Sequence, residues 1–227
     1  MIDFKTQFEL VAQKYPSLSV KTGKDGYLLT GTVTLNSEFA NVPLYDEYNL
    51  EIEIPCDFPN SIPTVKDING DVPKDLKHFY VSGELCLGAS CDLYEYLDNH
   101  INIVDFINDI VMSYLYTASY YKRYGSTPFG ERSHKKGVEE AYMERYAVND
   151  KETLISLLKY VAGIYEYRGH LQCPCGSGLK LRSCHGHLIL KDIQSRHSNK
   201  YRTDAYNLIS DYTEEHKRGG DKKRWQP

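Results

Sequence analysis

Two stretches of this chain, Tyr27 to Leu35 and Tyr48 to Ile54, alternate apolar and polar residues with a period of two. Successive side chains on a strand leave on opposite sides, so this alternation describes strands with one buried and one wet face. Lys24-Asp25-Gly26 supplies a turn between the first of these runs and the β-rich residues before it, and the whole reads as an antiparallel meander. Helical spacing flanks it. Phe4, Phe8, Val11 and Ala12 predict an opening helix that stops at Tyr15-Pro16, because a residue before proline avoids helical geometry. Ile101, Val104, Phe106, Ile107, Ile110, Val111 and Tyr114 or Leu115 predict a helix running toward Tyr124-Gly125, where the glycine can end it. A third helical pattern spans roughly Lys151 to Tyr167. The fold class expected is α+β.

With 227 residues, 41% of them hydrophobic, the chain has enough material for one medium domain, a smaller appendage and a real core. No apolar run approaches the ~18 residues of a membrane span, and Met1-Ile2-Asp3-Phe4-Lys5 lacks the build of a secretory signal, so a cytoplasmic protein is expected. In a reducing compartment, six cysteines at 56, 86, 91, 173, 175 and 184 point to metal binding and catalysis rather than disulfides. The formal charge of −4 hides an asymmetry: residues 168 to 202 hold seven Lys/Arg against the single acid Asp192, a net +6 that leaves −10 for the rest. The two parts should meet different partners. Many of the twenty tyrosines fall between residues 94 and 124, which suits rings packed against a core with their hydroxyls left wet.

The first chemical motif is His78-Phe79-Tyr80-Val81-Ser82-Gly83-Glu84-Leu85-Cys86-Leu87, which follows the proline-punctuated stretch Ile54 to Val65. Gly83, Glu84, Gly88 and Ser90 make a polar turn around Cys86 and speak against burial, and Gly83 suits a positive φ. A cysteine so presented is a candidate nucleophile; the bland alternative is a small buried hydrophobe. His78 stands eight positions earlier, as an oxyanion donor, a base toward an incoming amine, or a structural histidine. Asp92 and Glu95 read as solvated acids, Cys91 as a buried thiol and Cys56 as a core residue.

The order of helix, meander, cysteine-bearing coil and helices over residues 1–124, together with this motif, resembles the ubiquitin-conjugating enzymes. In that family an asparagine from a His-Pro-Asn triplet precedes the cysteine by eight positions and a leucine follows it. Here His78 takes the asparagine's place and Leu76 and Lys77 the other two, a form similar to the standalone bacterial branch of antiphage (CBASS) type. The resemblance implies a transferase that holds a protein C-terminus as a thioester on Cys86 and passes it to a lysine. It also implies a cargo: the C-terminus of a nucleotidyltransferase related to cyclic GMP-AMP synthase. No glycine-rich nucleotide fingerprint follows a strand, so a separate activating enzyme, or a cargo that arrives activated, is expected.

The second motif is Cys173-Pro174-Cys175-Gly176-Ser177-Gly178, closed by Cys184-His185. Four soft donors within thirteen residues suit tetrahedral zinc, and Gly176 and Gly178 let the backbone fold the second pair onto the first. His187 is the alternative to His185 as fourth ligand. The motif resembles the SEC-C zinc module, which implies a full ligand set and a structural Zn2+ with no open position. Residues 125–167 are then a helical extension, 168–216 the zinc module with a following helix, and 217–227 a basic tail in which Gly219-Gly220 is flexible chain. Two rival functions stay open: a non-catalytic adaptor that binds a partner protein, and nucleic-acid binding through the basic zinc module. A membrane partner is not expected.

Overall fold

The computed structural model describes residues 3–23, 25–76, 78–129 and 137–222. It divides into two compact units, residues 1–134 and 135–227.

The first unit holds a four-stranded antiparallel sheet in the order β1 (Leu18–Thr22), β2 (Gly26–Phe39), β3 (Val42–Pro55), β4 (Thr64–Asp67). The predicted alternation is realised as burial: Leu44, Tyr48, Leu50, Ile52 and Ile54 of β3 are buried while Tyr45, Glu47 and Glu53 are exposed. At Gly31 a Cβ would collide with the Ser17 carbonyl, so glycine is what lets β1 close on β2 at the Leu18–Gly31 pair. Helix α1 (Phe4–Lys14) starts under the Asp3 carboxylate, which accepts from the Lys5 N–H at 3.1 Å, and stops before Pro16 as expected.

After β4 come a 3-10 turn at Lys74–Leu76, the Cys86 coil, α2 (Ser90–Asn99), α3 (Ile103–Asp105), a π-helical segment (Phe106–Val111) and α4 (Met112–Tyr124). The single helix expected from Ile101 is thus interrupted by a widened turn. Its polar residues are held from outside: Tyr15 donates to Asn108 Oδ1 at 2.5 Å and Tyr96 to Asp109 Oδ2 at 2.7 Å. Gly125, with φ of 66°, ends α4. Phe106, Ile107, Val111, Leu115 and Ala118 join the buried residues of the sheet in one core. The tyrosine rings pack there, and several of the hydroxyls find protein acceptors: Tyr116 donates to the Val42 carbonyl and Tyr114 to the His78 carbonyl, each at 2.9 Å.

The second unit contains α5 (Gly137–Arg145), α6 (Lys151–Val161), a 3-10 turn at Leu181–Ser183, α7 (Gly186–Gln194) and α8 (Ser198–Lys222). Asp150 caps α6 through the Thr153 N–H at 2.7 Å. The helix ends at Val161, short of Tyr167, where Gly163 takes a φ of +76°. Helices on both sides of residue 168 share a core that includes Tyr142, Tyr146, Leu154, Leu158, Ile189 and Tyr201. Gly219 and Gly220, read as flexible chain, fall within α8, and the end of the basic tail, 223–227, lies outside the described residues. Among the described residues no helix is long and apolar enough to cross a membrane.

Candidate functional site

Cys86 sits on a two-armed turn that continues the sheet beyond β4. The Leu85 N–H donates to the Val65 carbonyl at 2.7 Å, and Glu84 bridges Lys66. The chain reverses at Val81–Gly83 with Gly83 at φ 85°, the turn glycine expected. On the returning arm Tyr80 N–H donates to the Glu84 carbonyl at 2.8 Å and Cys86 N–H to the His78 carbonyl at 2.9 Å, with Phe79 bridged to Leu85. His78 and Cys86 are therefore directly opposite, and opposite residues of an antiparallel pair project on the same side. The Tyr114 hydroxyl of α4 also donates to the His78 carbonyl, at 2.9 Å, which ties this arm to the helical layer.

Tyr80 completes the arrangement and was missed in the sequence. Its phenol is pushed well above the ordinary range by burial first, then by its hydrogen bond to Cys86 and the nearby charge of Cys86 and Glu84. Tyr114 is raised in the same way, by burial and then by Cys86. The signal was parity. Once Cys86 and His78 face one another across a tight turn, Tyr80 and Glu84 must share their side. Cys86 is half-buried, and the buried Leu85 before it anchors the backbone.

The other residues near this motif divide as follows. Cys91 is buried in the first turn of α2, Asp92 is exposed and Glu95 half-buried. Cys56, expected in the core, is exposed. β3 ends at Pro55, so the alternation that buries Ile52 and Ile54 stops one residue too early to carry Cys56 inward. Its N–H still reaches across to the Asp25 carbonyl at 3.2 Å, just beyond the Gly26–Pro55 pair that ends the ladder. Lys77 lies outside the described residues.

The second cluster assembles as its spacing implied. A short hairpin joins Cys173 N–H to the Leu179 carbonyl at 2.8 Å and Leu181 N–H to the Leu171 carbonyl at 2.7 Å. Gly176 and Gly178 make its tip with φ values of 77° and 72°, and a 3-10 turn returns Cys184 and His185. The donor atoms of Cys173, Cys175, Cys184 and His185 all lie within 4.8 Å of one another. His185 Nδ1 is 3.2 Å from both Cys173 Sγ and Cys184 Sγ, and Cys175 Sγ is 3.5 Å from Cys184 Sγ. Four donors so close fit one small cation: tetrahedral ligands at Zn–S ~2.3 Å stand about 3.8 Å apart. His187, the alternative ligand, turns away, its Nδ1 against the Cys184 carbonyl at 2.7 Å.

The thiols of this cluster bias one another. Burial pushes Cys173 up to about 11. At Cys175 desolvation acts upward, but the hydrogen bonds of Ser177 and the other two thiols outweigh it and bring the group down to about 6. A dication bound at the centre would replace the retained protons. The cluster can hold a metal ion.

No protein-family model and no curated protein matches this chain.

Proposed function

We propose that the first unit is an acyl carrier of ubiquitin-conjugating type and that the second is built on a structural zinc. The observation that supports the carrier most is the juxtaposition of Cys86, Tyr80 and His78 on one side of an anchored turn. In the charging step Cys86 Sγ, as thiolate, attacks an activated acyl carbon; the S–C bond forms and the activating group leaves with its electron pair. In the transfer step a deprotonated lysine amine attacks the thioester carbonyl, giving a tetrahedral oxyanion. Collapse breaks the C–S bond, releases the Cys86 thiolate and leaves an isopeptide bond.

Tyr80 is placed to donate its hydroxyl proton toward the oxyanion or the departing sulfur, and one such donor contributes about 10²- to 10³-fold in rate. His78, facing Cys86 across the turn, is the candidate to accept the amine's proton or to add a second donor. Zinc on Cys173, Cys175, Cys184 and His185 would have no open position and would serve structure alone. The cargo implied by the sequence resemblance is the C-terminus of a nucleotidyltransferase of antiphage signalling.

Intact mass spectrometry of wild type and Cys86→Ala, each co-expressed with its genomic neighbours and kept free of thiol reductant, tests this reading. A protein-sized adduct, lost on thiol treatment and absent from Cys86→Ala, is the expected result. Absence of any adduct under thioester-trapping conditions overturns it in favour of an adaptor.

A further inference from the structure

The metal cluster is joined to a buried polar network that its own motif does not contain. His185, the N-cap of α7, presents Nδ1 to the sulfurs, and its other ring nitrogen, Nε2, lies 2.8 Å from the carbonyl oxygen of Tyr146. A carbonyl only accepts, so Nε2 carries the proton and Nδ1 is left with the lone pair a metal needs. Tyr146 directly follows α5, and its position is fixed at both ends by α7. His185 grips its carbonyl. Seven residues further along α7, on the same face two turns on, Asp192 accepts from its hydroxyl at 2.7 Å.

Asp192 is itself fully buried, and Arg145 holds its other oxygen through Nε at 3.1 Å and Nη2 at 2.6 Å. The Arg145 guanidinium in turn lies over the Tyr201 ring of α8, 5.1 Å from its centroid. Tyr146 and Tyr201 are fully buried as well. A buried carboxylate with two hydrogen-bonding partners is rigid as well as charged, because any displacement leaves it unsatisfied.

Resting on the metal reading above, we propose that Tyr146, locked by Asp192 and Arg145, is the positioning residue that sets metal affinity by fixing the tautomer and ring orientation of His185. Outer partners of this kind change affinity by about 10- to 100-fold when removed. The Tyr146→Phe variant keeps the carbonyl and the ring but frees the far end, so the acceptor of His185 is no longer pinned at two points.

The test is a competitive chelator titration of Zn2+ on the full chain, for wild type, Tyr146→Phe, Lys151→Ala and Cys175→Ser. Lys151 pairs with Glu139 and Glu215 in the same unit and touches none of the cluster, so its variant reports general loosening. Tyr146→Phe, which loosens the outer acceptor without removing it, is expected to lose about tenfold in affinity, the low end of that range, with unchanged stoichiometry, while Lys151→Ala stays within about twofold. Tyr146→Phe binding as tightly as wild type overturns the proposal, as does an equal loss in Lys151→Ala. A wild type that takes up no zinc, or a Cys175→Ser variant that binds as well as wild type, would instead refute the metal site itself. Nitrogen NMR of zinc-loaded wild type reads the same point without any substitution: zinc on Nδ1 and a proton on Nε2 of His185 are expected, and the reverse assignment overturns the proposal.

Discussion

The two cysteine sites of this chain solve opposite problems. Around Cys86 one half-buried cysteine is flanked by a phenol and a facing histidine, on a turn fastened to the sheet by backbone bonds and by the Lys66–Glu84 ion pair at 3.9 Å. Around Cys173 three sulfurs and an imidazole converge within 4.8 Å, and the imidazole is held from behind by a buried tyrosine carbonyl. The first arrangement leaves its sulfur beside a hydrogen-bonding phenol, which suits the nucleophile proposed. The second commits every donor, which a structural site requires. The two proposed roles therefore ask different uses of one residue type, and the surroundings are what separate them.

Removing a ligand from the closed site should have the largest effect. Cys175→Ser, or chelator treatment of wild type, is expected to strip the metal and unfold the second unit, since structural zinc contributes about 10 kcal/mol or more to small domains. Circular dichroism and limited proteolysis should show residues 137–222 becoming labile while the sheet core of residues 3–129 keeps its thermal transition. Loss of both units together would erase the contrast drawn between the sites.

At the open site the expected effect is kinetic. Tyr80→Phe removes one hydroxyl from a half-exposed ring, so stability should change by less than about 0.5 kcal/mol. Discharge of a Cys86 thioester onto an amine should nonetheless slow by about 10²-fold, measured by single-turnover transfer. A change in melting temperature without a change in rate would make Tyr80 a structural residue and Cys86 a less convincing nucleophile.

How far each site was legible in the sequence follows from its span. Cys173, Cys175, Cys184 and His185 lie within thirteen residues, and Gly176 and Gly178 announce the reversal between them. The outer ligand could not be read, because it is a backbone carbonyl at Tyr146 and carries no residue-type signature. For the open site, His78 and Cys86 were legible as a pair, and Gly83 as the turn between them. Tyr80 required the register as well as the motif. In the fold, β2 and β3 followed directly from the alternation. The helix α2 was lost because only Leu93, Tyr94 and Leu97 mark its buried face with Cys91, and a ten-residue helix gives periodicity little room. The widened turn at Phe106–Val111 depends on tyrosines from α2 and from the segment after α1, partners no local pattern contains.

A smaller effect probes how tightly the closed site is packed. At Gly186, next to His185, a Cβ would lie 2.5 Å from both the Leu181 carbonyl oxygen and the Tyr167 hydroxyl. Gly186→Ala must push the 3-10 turn away from α7, an overpacking strain of about 2 kcal/mol. Because that turn carries Cys184, cobalt(II) spectra of the variant should report distorted ligation together with the lower melting temperature. An Ala variant equal to wild type in both would mean that the site tolerates more play than its geometry implies.

The smallest expected effect concerns charge in the second unit away from the metal. Lys151 Nζ lies 2.7 Å from Glu139 Oε2 and 2.8 Å from Glu215 Oε2, and the lysine is 21% exposed. Desolvation acts to lower its pKa, but the two carboxylates outweigh it and raise the group above 10.5. A raised folded-state pKa means that the contribution is fully present below the unfolded value and fades as the pH climbs past it. Lys151→Ala should therefore cost about 1 kcal/mol at neutral pH, measured by denaturant titration. The gap to wild type should narrow above pH ~10.5 and, because exposed Glu215 is one partner, in high salt. A cost several times larger would show that the helical scaffold, rather than the metal, dominates the stability of this unit.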